Sequence, residues 1–128
     1  MKKKYELEFT LNASPKILFP RLSTPSGLSE WFADDVNIVG NIYSFYWDGS
    51  EQQAELISKK ENQFIRFRWL DEDDDEEDTL FFEFKIHQDE LTGDVALVIT
   101  DFSDESEITE ANNLWISQIS ELKRTLGI

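Results

Sequence analysis

What constrains this chain most is a change of hydrophobic period partway along it. Up to about residue 102 the apolar residues recur mainly at every second position, and from Ile108 onward they recur at every third or fourth. A period of two places side chains on alternate faces of a strand, whereas a period near 3.6 draws one stripe along a helix. Tyr5, Leu7, Phe9 and Leu11 alternate with Lys4, Glu6, Glu8 and Thr10 near the start. Ile108, Ala111, Trp115, Ile119, Leu122 and Leu126 form the stripe at the end. A half-buried sheet has to cover its apolar face with something, and the final helix, of about five turns, is the one large partner available.

The stretches between fit that plan. Ser14-Pro15 reads as a helix start, with Ser14 capping free amides and Pro15 losing nothing at the first helical position. Ile17, Leu18, Arg21 and Leu22 follow at helical spacing with Pro20 inside, which predicts a short or bent helix. After the break at Thr24-Pro25-Ser26-Gly27, a second short helix over 26–33 carries Leu28, Trp31 and Phe32 on one side. Strands are predicted at 36–38, 42–47, 52–59, 64–70, 80–87 and 95–102. The turns between them fall at Gly40-Asn41, Asp48-Gly49, Glu61-Asn62 and Thr92-Gly93, and no proline interrupts a strand. Asp104 or Ser106 is the expected cap of the last helix, Lys123 and Arg124 complement its dipole, and Gly127 ends it. No repeat or linker divides the chain, so residues 1–128 are read as one domain. The expected class is α+β: a curved antiparallel sheet of about six or seven strands wrapped around a long C-terminal helix, with two short helices after strand 1, the helix-grip arrangement.

Composition narrows the function. The absence of cysteine excludes a disulfide scaffold, a zinc ribbon and thiol catalysis, and fits a reducing compartment. Acidic residues number 27 against 12 basic ones, and eight of the acidic ones form one run, Asp71 to Asp78. This balance argues against nucleic acid and anionic lipid surfaces, which need clustered Lys and Arg. No apolar run approaches the roughly 18 residues of a membrane span. Lys2, Lys3 and Lys4 are not followed by an apolar stretch, so no signal peptide is expected and a cytoplasmic location is. Ten Phe, four Trp and three Tyr exclude an acidic disordered chain.

Several segments also resemble a known family. Ser14-Pro15-Lys16-Ile17-Leu18-Phe19 resembles the entry to the first helix of START-like (SRPBCC) domains. Leu28-Ser29-Glu30-Trp31-Phe32-Ala33 is similar to the L-x-x-W-F signature of the branch of homologues of activators of the heat-shock ATPase chaperone. Gly40 to Phe45, the Asp48-Gly49 turn and Ile65-Arg66-Phe67-Arg68-Trp69 stand where that branch has its turn, aromatic strand and hairpin, and the final helix matches in place. Two features depart from the pattern: Gly40-Asn41 replaces a Gly-Gly turn, and the acidic run is additional. The resemblance implies a cavity between sheet and long helix. Members bind lipids or other apolar small molecules, some bind protein partners, and some are enzymes. Fold alone does not choose among these.

The residues themselves nominate Trp31, Tyr43, Phe45, Trp47, Trp69, Phe82, Phe84 and Trp115 as the lining of an apolar ligand pocket. The plain alternative is that these rings simply fill the core. The acidic run fails as a calcium loop, because Glu76 stands where glycine is needed and Phe82 where glutamate is needed, so a solvated loop is expected. His87, the one histidine, shares strand phase with Glu83 and Lys85, which reads as a salt-bridged outer face. Asp101 lies within an otherwise apolar strand, where a solvent-facing or strand-end position is the plainer reading and an inward carboxylate the sharper one. Nothing implies a metal or cofactor, and no acid, base and electrophile set stands out, so a non-enzymatic role is expected. The candidate partners are an apolar small molecule or a protein, with the chain a monomer or a homodimer. A cavity of about 300 Å³ or more favours small-molecule binding, and a filled core favours a protein-interaction module.

Overall fold

The computed structural model describes residues 2–70 and 81–128. The acidic run at 71–78, expected as a solvated loop, lies outside the described residues. Strand β1 (Lys2–Leu11) leads into helices α1 (Pro15–Ser23) and α2 (Pro25–Leu28). Strands β2 (Asp35–Val39), β3 (Ile42–Trp47), β4 (Ser50–Lys60), β5 (Phe64–Trp69), β6 (Phe82–Gln88) and β7 (Val95–Asp104) follow, and helix α3 (Ile108–Leu126) ends the chain. The sheet is open, fully antiparallel and seven-stranded, in the order β1-β7-β6-β5-β4-β3-β2. Consecutive strands are neighbours from β2 to β7, and β1 returns to pair along β7 from Lys2↔Asp104 to Leu11↔Val95. This is the helix-grip arrangement expected from the change of period.

Local chemistry sets the turns. Asp48 and Gly49 both take positive φ, 50° and 82°, between the paired Trp47 and Ser50, as a two-residue hairpin with right-handed twist requires. Ser14 accepts the Ile17 N–H at 3.2 Å, and α1 runs on through Pro20 for nine residues. Thr24 ends α1 and starts α2: its N–H donates to Pro20 O at 3.1 Å, and its Oγ1 accepts the Gly27 N–H at 2.9 Å. Trp31 Nε1 donates to Arg21 O at 2.7 Å and Tyr43 Oη to Ser23 O at 2.8 Å, which ties the end of α1 to the sheet.

Two expectations need correction, and one strand is irregular. Helix α2 ends at Leu28, and hydrogen-bonded turns carry the chain through Phe32. Neither Asp104 nor Ser106 caps α3: β7 extends to Asp104, and a 3₁₀ turn at Glu105–Glu107 leads into the helix without a side-chain cap. Strand β4 breaks its alternation, because Ile57 is an extra residue between Leu56↔Phe67 and Ser58↔Arg66. Such a bulge bends and twists a strand.

The α3 stripe buries Trp115, Ile119 and Leu122 against the inner sheet face, where Phe45, Phe67, Phe82, Phe84, Ile65, Leu97 and Ile99 are almost wholly enclosed. Each such side chain contributes about 1.5–3 kcal/mol. The outer face is ionic: Arg66 pairs with Glu83 at 2.9 Å and Arg68 with Glu55 at 2.6 Å, while His87 is exposed on it. Among the described residues no helix is long and apolar enough to cross a membrane.

Candidate functional site

The inner face does not close completely. A cavity of about 300 Å³ remains between the sheet and the N-terminal half of α3. Helix α3 supplies Ala111, Leu114, Trp115 and Gln118, at spacings of three, one and three, so that they share one helical face. Trp47 and Trp69 are the last residues of β3 and β5, and Tyr5 from β1 and Asp101 from β7 join them. Phe32, from the turn after α2, and Gln52, inward-facing near the start of β4, complete the lining. Leu114 is 61% exposed, so the rim reaches solvent beside α3.

One wall is a continuous run of rings. Trp115 stacks on Phe32 at 5.7 Å between centroids, Phe32 meets Trp47 edge-on at 5.3 Å, and Trp47 lies 6.3 Å from Trp69. The Phe32 carbonyl fixes this wall, accepting Trp47 Nε1 at 2.7 Å and Gln118 Nε2 at 2.9 Å. Loop, sheet and helix are thus joined at a single oxygen.

Beside Trp115, where this run of rings begins, stands a polar cluster. Asp101 Oδ2 accepts the Tyr5 hydroxyl at 3.2 Å and Trp115 Nε1 at 3.3 Å, and Oδ1 accepts the Phe102 N–H at 2.8 Å. Trp115 Nε1 also lies 3.1 Å from Tyr5 Oη, so one indole N–H is shared between both partners. Burial pushes the Asp101 carboxyl above its ordinary value, opposed by the hydrogen bonds from Phe102, Trp115 and Tyr5 and by the charge of Lys2. Burial, followed by the neighbouring Asp101 charge, pushes the Tyr5 phenol up strongly. The site therefore presents an apolar, largely aromatic wall facing one carboxylate. Among the described residues its lining carries no Lys, Arg, His, Ser or Thr.

Of the eight rings nominated from sequence, Trp47, Trp69 and Trp115 come together here. Trp31, Tyr43, Phe45, Phe82 and Phe84 are not part of the lining; they pack in the core, and Trp31, Phe45, Phe82 and Phe84 back the lining rings directly. The plainer reading of Asp101 is corrected: it faces inward, because β7 alternates strictly and Leu97, Ile99 and Asp101 share a face. Tyr5, Phe32, Gln52, Ala111, Leu114 and Gln118 were not singled out as site residues. Parity along β1 and β7 carries the signal for Tyr5 and Asp101, since the two are directly cross-strand.

A family model described as a START-like superfamily domain matches residues 1–128. The comparison with curated proteins found no match. Among solved structures, the solution structure of BfR322 from Bacteroides fragilis is 42% identical, covering 99% of this chain and 93% of that one, with a TM-score of 0.67. The Aha1 dimer from Colwellia psychrerythraea superposes with a TM-score of 0.83 at 17% identity, covering 98% of this chain and 97% of that one. MLL2253 from Mesorhizobium loti gives a TM-score of 0.78 at 18% identity over the same shares of each chain. These last two likenesses speak to the fold alone.

Proposed function

We propose a ligand-binding role from the premise that the chain belongs to the START-like superfamily over its whole length. In this reading the domain, residues 1–128, holds an apolar small molecule between sheet and α3 and performs no chemistry on it. The observation that carries the reading is the cavity of about 300 Å³, left open in a chain otherwise rich enough in rings to seal itself. A protein-interaction module with a filled core would have no use for it. The cysteine-free sequence supports a cytoplasmic setting.

Titration with the neutral probe 1-naphthalenemethanol, followed by tryptophan fluorescence, tests this. The expected result is saturable one-to-one uptake that is lost in Ala111→Phe, whose ring fills the cavity from a half-buried helical position. Absence of saturable uptake, or equal uptake by the Ala111→Phe protein, contradicts it.

A further inference from the structure

We infer that the molecule this cavity takes is a cation: an amine or ammonium on an apolar body, its nitrogen directed at Asp101. The inference rests on the binding reading above and adds the charge of the ligand to it. Among the described residues Asp101 is the one charged group in the lining, and none of them forms an ion pair with it. Its neighbour Lys2 is exposed and is not part of the lining. A carboxylate withdrawn from water without a counter-charge is costly, and hydrogen bonds offset only part of that cost.

Its hydrogen bonds work against that cost, because each is of the kind that an ionised carboxylate accepts. All three of its partners, Tyr5 Oη, Trp115 Nε1 and the Phe102 N–H, are donors. Two carboxylate oxygens offer about four acceptor positions, so about one remains. A protonated amine supplies both the missing charge and a donor for that position. The rest of the lining agrees. Phe32, Trp47, Trp69 and Trp115 give the apolar body of such a molecule an aromatic surface to pack on. A fatty-acid-like anion would meet like charge at Asp101, and a neutral hydrocarbon would bury that carboxylate further with nothing in return. The net charge of −15 draws cations toward the molecule from a distance.

Three probes of one shape separate these possibilities on the full chain: 1-naphthylmethylamine, 1-naphthalenemethanol and 1-naphthoate, each titrated calorimetrically at neutral pH. The expected result is that the amine binds about tenfold or more tighter than the alcohol, with the naphthoate weakest. The preference should persist in about 0.5 M NaCl, where attraction by distant surface charge is screened. In Asp101→Asn the ratio of amine to alcohol should fall toward one. Equal binding of amine and alcohol overturns the cationic ligand while leaving the apolar pocket standing. A preference that vanishes in salt, or that persists in a folded Asp101→Asn protein, overturns the assignment to Asp101. Failure of all three probes to bind overturns the pocket reading, and this inference with it. The salt series on the unaltered chain decides the matter even if the variant does not fold.

Discussion

Asp101 takes three hydrogen bonds, yet burial still lifts its carboxyl above the ordinary 3.8. The folded chain therefore holds this proton more tightly than the unfolded chain does. Its contribution to stability is most favourable below that ordinary value and is lost as pH rises through the folded value. Other carboxylates titrate over the same range, so the comparison has to be made against Asp101→Asn. Urea unfolding of both proteins between about pH 3 and pH 7 should show the unaltered chain losing ground to the variant as pH rises. A constant or opposite difference would mean the carboxyl is not desolvated. Tyr43 offers a simpler case. Its hydroxyl donates to Ser23 O at 2.8 Å in a buried setting, so Tyr43→Phe should cost about 1–2 kcal/mol in urea unfolding. Residue by residue, the polar end of the site was partly readable. Tyr5 falls on the apolar face of β1 by simple counting, and the same counting places Asp101 inward beside Ile99. What hid Asp101 was the general rule that a carboxylate in a strand faces water, which the shared Trp115 N–H overrides here.

At the scale of elements, the junction of α1 and α2 leaves no room for a side chain at Gly27. A Cβ at Gly27 would run into the Pro20 carbonyl oxygen and the Arg21 Cα, both backbone atoms that cannot swing aside. Gly27→Ala should therefore cost more than about 2 kcal/mol, measured by the midpoint of urea unfolding, although alanine is the better helix former. A loss below about 0.5 kcal/mol would show that the two helices can separate without penalty. Strands and hairpins were legible because period two and the Asp48-Gly49 turn are local signals. The bulge at Ile57 was not, since β4 is apolar at both Leu56 and Ile57 and only pairing with β5 reveals which is extra. The start of α3 was misplaced for a similar reason: the cross-strand partnership of Asp104 with Lys2 holds β7 extended past the point where its sequence favours a cap.

Across the whole molecule, a ring-rich interior divides into a sealed part and an open part. Trp31, Phe45, Phe67, Phe82 and Phe84 close the centre of the grip, whereas Trp47, Trp69 and Trp115 border the cavity near one end of the sheet. Sequence could nominate the rings but not divide them, because the division depends on which strand ends α3 covers. The four tryptophans sample both parts, and each carries one indole N–H visible by ¹H–¹⁵N NMR. The most direct measurement is to add 1-naphthylmethylamine to uniformly ¹⁵N-labelled protein and follow those four signals. Binding in the cavity predicts saturable shifts of Trp47, Trp69 and Trp115, with Trp31, held on Arg21 O in the core, left in place. Shifts centred on Trp31, or no saturable shift at any of the four, would contradict the account.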